Sequence, residues 1–111
     1  MDRKKKLYTD IINAIDLITA FTVDIQSFDK YSSDSKTKSA VERQLAIIGE
    51  AITKLKKEDA EELTNARKII TLRNILVHAY DSIDDTIIWA VLQRHLAPLK
   101  QEVDDKLIGN K

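Results

Sequence analysis

The sequence predicts an all-α fold, a four-helix up-and-down bundle, from its composition and from the spacing of its apolar residues. Two glycines, one proline and an aromatic content of 5% leave the 111-residue chain few of the residues that favour turns and strands. The apolar residues instead recur at steps of three and four, which is the spacing of one helix face. A chain of this length corresponds to one domain, and we assign residues 1–111 to it.

The first half of the chain contains two predicted helices. The first runs from about Lys4 to about Phe28 and is followed by a predicted loop over residues 29–35. The second runs from about Lys36 to about Lys57. Both have a single apolar stripe, formed by Leu7, Ile11, Ile15, Ile18, Phe21, Ile25 and Phe28 in the first and by Val41, Leu45, Ile48, Ile52 and Leu55 in the second.

The second half contains two more predicted helices. The third runs from about Ala60 to about Ala79, and the fourth runs from about Asp84 to about Lys106. Pro98 lies within the fourth and should kink it or start a new turn. Short connections between four amphipathic helices favour the up-and-down arrangement.

Composition excludes several classes of protein. There is no cysteine, so a disulfide scaffold and a cysteine-based zinc site are excluded. No apolar run approaches the roughly 18 residues that span a bilayer, and the basic start lacks the apolar core of a signal peptide, so we expect a cytoplasmic protein without a membrane partner. A formal net charge of zero disfavours a protein that coats nucleic acid, although a local phosphate site remains open.

A polar surface on the third predicted helix is the candidate site. On a helical wheel, Arg73, Asn74, His78 and Tyr80 lie on the side opposite the apolar arc that faces the bundle. Arg73 offers a planar donor fork suited to phosphate, and the His78 imidazole exchanges a proton near neutral pH. Asn74 lies one turn from His78 and can orient its ring. The structural alternative is a surface ion pair for Arg73 and packing roles for His78 and Tyr80.

A second apolar strip on the same helix suggests a dimer. Leu63, Ile70 and Val77 recur at steps of seven among the polar residues, away from the predicted core face. Such a strip on a helix that already has a core face predicts a partner surface, and a two-fold homodimer is the simplest case. The alternative is a helix buried on both sides within one bundle.

The sequence contains no feature that predicts a cofactor. It has no glycine-rich phosphate loop, and its acidic pairs, including Asp84-Asp85, look like helix ends or solvated faces. His78 has Asp81 three residues on, but no third ligand is in view. We therefore expect neither a metal nor a cofactor.

Three stretches of the chain resemble the HepT-type toxins of the HEPN family. The R-x4-H-x-Y signature of these proteins is matched by Arg73-Asn74-Ile75-Leu76-Val77-His78-Ala79-Tyr80. Two further stretches are similar to the family, Glu42 to Ala51 and Ile83 to Leu99. Together they cover the second to fourth predicted helices in the order that the family has.

The resemblance implies a four-helix HEPN bundle that dimerises around an active cleft. It implies metal-independent RNA cleavage in which Arg73 binds the scissile phosphate, His78 acts as general acid or base and Asn74 supports the site. It further implies a nucleotidyltransferase antitoxin, which in the family can silence the toxin by adding AMP to the motif tyrosine, here Tyr80.

Three functions remain open from the sequence. The first is a ribonuclease toxin with a neutralising antitoxin. The second is a non-catalytic binding subunit that docks a minimal nucleotidyltransferase. In the third, the chain is an interaction bundle in which Arg73, His78 and Tyr80 form a structural hydrogen-bond network.

Overall fold

The prediction of an all-α fold is confirmed. The computed structural model describes residues 2–58, 63–67, 69–71 and 84–109, and their regular structure is helical, without a strand. Residues 67 and 69–71 are helical, and five further helices are α1 (Arg3–Thr22), α2 (Phe28–Ser32), α3 (Ser35–Lys57), α4 (Asp85–Arg94) and α5 (Leu96–Gly109).

The two long helices, α1 and α3, pack against each other in opposite directions. Asp2 caps α1 by accepting a hydrogen bond from the Lys4 amide at 3.1 Å. Arg3, at the start of α1, pairs with Glu58, directly after α3, at 2.6 Å. The predicted stripes supply the buried contact, with Leu7, Ile11, Ile15 and Ile18 on α1 and Val41, Leu45, Ile48, Ile52 and Leu55 on α3.

The predicted boundary between the first helix and the loop is wrong. α1 ends at Thr22 rather than near Phe28, and the Ile25 amide donates to the Thr22 carbonyl in a closing turn. The predicted loop contains most of α2, whose N-cap Ser27 accepts from the Lys30 amide at 3.2 Å. Burial of the Tyr31 ring favours this short helix, which propensity alone would not stabilise.

The fourth predicted helix is two helices, as the position of Pro98 suggested. α4 ends at Arg94, His95 interrupts the helix, and α5 begins at Leu96. Pro98 has no amide hydrogen to donate to the Arg94 carbonyl, which lies four residues before it, so the helix is broken there. α5 then packs on α1, where the Lys100 ammonium contacts Asp16 at 2.7 Å.

The third predicted helix begins later than expected. Residues 63–66 are not helical, and the Ala66 carbonyl accepts the first helical bonds, from the Ile69 and Ile70 amides at 3.0 Å each. The helical backbone therefore starts at about Arg67 instead of Ala60. The remainder of the predicted helix, to Ala79, lies outside the described residues. In the part of the chain that is described, no helix combines the length and apolarity needed to cross a membrane.

Tyr31 joins α2 to α4 through its ring. The ring is fully buried and lies 5.6 Å from that of Trp89, tilted by 34°. Its hydroxyl is buried without a hydrogen-bond partner among the described residues. Burial, together with the charges of Glu42 and Asp85, raises the pKa of this phenol well above its usual value. The ring therefore stabilises the fold while the hydroxyl opposes it.

We predict that Tyr31→Phe stabilises the protein by about 1 kcal/mol, because it removes an unsatisfied buried group and keeps the ring contact. Urea unfolding followed by circular dichroism measures the difference. Tyr31→Leu is the control and should destabilise the fold, since it removes the contact with Trp89. A destabilised Tyr31→Phe variant would mean that the hydroxyl has a partner.

Candidate functional site

The candidate site residues lie in residues 72–83, which we call the motif segment. The predicted site and interface residues in this segment are outside the described residues, namely Arg73, Asn74, Val77, His78 and Tyr80. The structure describes the two flanks of the motif segment, which are residues 63–67 and 69–71 before it and α4 after it.

The flank before the motif segment is held by one carboxylate of α5. Glu102 Oε2 accepts from the Thr64 amide at 2.7 Å and from the Thr64 hydroxyl at 3.0 Å. Its Oε1 accepts from the Asn65 amide and from the Asn65 side-chain nitrogen, both at 3.1 Å. Glu102 thus binds the turn over residues 63–66, which directly precedes the helix, from another element of the fold.

These hydrogen bonds change the acidity of Glu102. Burial alone would raise the pKa of its carboxyl, but the bonds from Thr64 and Asn65 favour the charged form and together lower the pKa below its usual value. Glu102 is consequently a charged acceptor at neutral pH, and bonds of this kind are stronger than neutral ones.

The flank after the motif segment is held by a network across three helices. Asp84 caps α4 by accepting from the Thr86 amide at 2.9 Å and from its hydroxyl at 2.6 Å. The next residue, Asp85, accepts from the Lys38 ammonium of α3 at 2.9 Å and from the Ser32 hydroxyl of α2 at 3.1 Å. Lys38 also donates to the Ser32 carbonyl at 3.1 Å.

The carboxylate of Glu42 lies close enough to this network for the charge of Asp85 to affect its pKa. Burial, followed by the charge of Asp85, raises the pKa of Glu42, and the nearby Lys38 partly offsets this. The Lys38 ammonium therefore balances negative charge from both α3 and α4. The Lys38 and Asp85 side chains are only 25% and 20% exposed, so solvent screens the pair less than a surface ion pair.

The two described residues of the predicted apolar strip both contact the core, whereas the helical wheel placed them away from it. Leu63 is 5% exposed and belongs to the core, and Ile70 is partly buried against that core. The wheel failed for Leu63 because this residue precedes the helix, so the helical phase does not apply to it. Leu63 therefore does not lie on a face away from the core.

The sequence contains no local signal that identifies Glu102 or Lys38 as a tertiary contact. The partners of Glu102 are 37 and 38 residues away and the carboxylate partner of Lys38 is 47 residues away, and no local spacing signals a bond over such a distance. Asp84 was expected at a helix end and is one, but Asp85 beside it binds across the structure instead of facing solvent. Only the tertiary fold distinguishes the two adjacent aspartates.

The described residues offer no competing catalytic set. No group of three or more histidine, aspartate or glutamate side chains in this part of the chain could hold a metal ion. A groove of about 240 Å³ between α1, α4 and α5 has a mainly aliphatic lining that includes Ile15, Leu92 and Leu96, with Lys100 beside them. It contains no acid–base pair, so we do not assign chemistry to it.

Comparisons with known proteins all point to one family. The model of the family described as "Ribonuclease HepT-like" matches residues 11–105. "Probable ribonuclease HepT" of Thermococcus cleftensis is 38% identical, over 90% of this chain and 93% of its own. "Putative RNase MJ1380" of Methanocaldococcus jannaschii is 32% identical, over 93% of this chain and 94% of its own. No solved structure gave a significant match.

We predict that Glu102→Gln weakens the fold in a pH-dependent way. The folded-state pKa of Glu102 is lowered, so its contribution is present above its unfolded pKa of about 4.3 and is lost as the pH falls through the folded value. The variant should be less stable than wild type by about 1 kcal/mol at pH 7, and the difference should vanish in acid. Urea unfolding between pH 3 and 7 measures it.

Asp105→Asn is the control for this measurement, since it alters an exposed carboxylate of the same helix. It should follow the wild-type curve closely. An equal loss for Glu102→Gln at every pH would contradict the assignment of Glu102 as a charged acceptor.

Proposed function

The chain belongs to the HepT-like ribonuclease family, and on that premise we propose that it is a metal-independent endoribonuclease, the toxin of a toxin–antitoxin pair. One observation carries the proposal. The pattern Arg73-x4-His78-x-Tyr80 falls inside the matched residues 11–105 and supplies a phosphate-binding cation and a proton-transfer group at a fixed spacing.

In the proposed reaction the RNA supplies its own nucleophile. The ribose 2′-hydroxyl loses its proton and attacks the adjacent phosphorus, the bond to the 5′-oxygen breaks, and that oxygen takes up a proton. The products are a 2′,3′-cyclic phosphate and a 5′-hydroxyl end. His78 transfers one of the two protons, and Arg73 binds the phosphate and stabilises the charge that develops on it. Asn74 orients the imidazole.

We further propose a four-helix bundle that dimerises along the third helix. α1, α3, the helix that starts at about Arg67, and the broken helix α4–α5 make up the four helices. Ile70 and Val77 remain in the proposed interface, whereas Leu63 is left out because it is already buried in the core. Two copies of Arg73 and His78 would then line one cleft.

Control of the toxin is proposed to act through Tyr80. Transfer of AMP to the Tyr80 hydroxyl by a nucleotidyltransferase antitoxin adds bulk and negative charge close to Arg73 along the chain. Both effects oppose entry of an RNA phosphate. The support for this step is the match of Tyr80 to the family's motif tyrosine.

One observation favours a second candidate function. The formal net charge of zero gives no general attraction for RNA. A binding subunit that docks a minimal nucleotidyltransferase without cutting RNA needs no such attraction. The two functions differ in whether the purified chain cleaves RNA.

We predict that the wild-type protein cleaves bulk cellular RNA in the presence of a chelator. Arg73→Ala and His78→Ala should each lower the rate by about 100-fold or more, because each removes stabilisation of the transition state. Gel analysis of the RNA and detection of cyclic phosphate ends measure the reaction. Arg67→Ala and His95→Ala are the matched controls and should retain activity. If the unmodified wild type does not cut, the binding-subunit function replaces this one.

We predict that expression of the chain alone arrests growth and that co-expression of the nucleotidyltransferase encoded beside it restores growth. Mass spectrometry of the co-expressed protein should find one AMP group on the peptide that contains Tyr80. Tyr80→Phe should carry no AMP and should not be neutralised by this route. Neutralisation of Tyr80→Phe as efficient as that of the wild type would rule out Tyr80 as the acceptor that matters.

A further inference from the structure

We propose that Glu102 and the Lys38–Asp85 pair are positioning residues, which hold the two ends of the motif segment so that Arg73 and His78 meet the substrate in a fixed geometry. The inference rests on the proposed function. It adds to that function a requirement for residues that lie outside the motif and do not themselves contact RNA.

The first anchor fixes the approach to Arg73. Glu102 accepts two backbone and two side-chain hydrogen bonds from Thr64 and Asn65, at 2.7 to 3.1 Å. The same stretch is also held by the burial of the neighbouring apolar residues Leu63, Ala66 and Ile69 in the core. The turn that directly precedes the helix at Arg67 is thereby held by polar and by apolar contacts.

The second anchor fixes the exit after Tyr80. Asp85 lies five residues beyond Tyr80 in the sequence and is bound to Lys38 and Ser32 on two other helices. One turn further along, Trp89 packs on the buried Tyr31 ring. The first half of α4 is therefore fixed by two polar contacts of Asp85 and one aromatic contact of Trp89, all made with elements outside α4.

Fixing both ends matters because the proposed chemistry depends on distance and direction. Proton transfer and charge stabilisation need donor and acceptor within hydrogen-bond reach, and a displacement of about 1 Å can lower a rate about 100-fold. Anchored ends also restrict the conformations available to the residues between them. Side chains on rigid elements are held more precisely than those on free loops.

The chain offers a matched control for these anchors. Lys100 and Asp16 join α5 to α1 at 2.7 Å, so this pair also links two helices. It touches neither flank of the motif segment. Asp16→Asn therefore removes a charge from a tertiary ion pair without releasing an end of the segment.

The test compares Glu102→Gln and Lys38→Met with wild type, Asp16→Asn and the conservative variant Lys38→Arg. The rate of hydrogen exchange of the amides in residues 72–83 measures how firmly the segment is held, independently of activity. Single-turnover RNA cleavage separates the rate from substrate binding, and the NMR titration of His78 reports its surroundings. All variants are compared under conditions in which they are folded.

We expect exchange in residues 72–83 to become at least about tenfold faster in Glu102→Gln and Lys38→Met, while exchange in α1 and α3 stays as in wild type. The cleavage rate should fall about 10- to 100-fold with substrate affinity within about twofold, and the His78 titration should shift. Asp16→Asn should behave as wild type, and Lys38→Arg should recover most of the rate.

Three results would overturn the inference. Unchanged exchange in residues 72–83 would show that the anchors do not hold the segment, and faster exchange throughout α1 and α3 would show a general structural role. Faster exchange in the segment with an unchanged cleavage rate would show that the hold does not serve catalysis. A wild-type protein that cuts no RNA defeats the proposed function and the catalytic role of the anchors, and the exchange data then decide separately whether they hold the segment.

Discussion

The apolar contact between α1 and α3 is the interaction to which the other described elements attach. The side chains of Ile11, Ile18, Leu45 and Ile48 are almost fully buried in this contact. Burying each contributes at most about 1.5–3 kcal/mol, an upper bound because unfolded chains already bury some surface. α5 packs on α1, α2 packs on α3, and α4 packs on α2 and α5. Loosening of the central pair would therefore displace both flanks of the motif segment.

On this apolar frame, a few charged side chains determine where the remaining elements lie. Hydrophobic burial is nondirectional and tolerates a shift in register, whereas a carboxylate with several donors fixes position and orientation. Glu102 does this for residues 64 and 65, and Asp85 does it for the start of α4. The Tyr31 hydroxyl shows the opposite case, since it is buried beside two carboxylates without a hydrogen bond among the described residues. Its ring contact with Trp89 offsets that cost.

The sequence predicted those features of the fold that depend on local periodicity. The stripe of α3 and the part of the α1 stripe from Leu7 to Ile18 are buried as expected, whereas Phe21 is exposed. The break near Pro98 follows from its missing amide hydrogen. The short helix α2 and the late start of the helix at Arg67 were not predicted, because tertiary contacts of Tyr31 and Glu102 determine them. In the candidate site, residue types and spacing identified a motif, but nothing local identified the side chains that anchor its flanks.

The position of Leu63 also reduces the apolar surface that is available to the proposed dimer interface. A strip at steps of seven requires a continuous helix, and here the helix starts only after Ala66, so Ile70 is the first strip residue to which the wheel applies. Ile70 is itself partly buried against the core, which leaves it little surface for a partner. A partner surface along this strip therefore has to depend mainly on Val77, between Arg73 and His78. In the proposed dimer, the contacts that join two subunits and the groups proposed to cut RNA therefore belong to the same short stretch of the sequence. Dissociation of the dimer and loss of cleavage should then occur together.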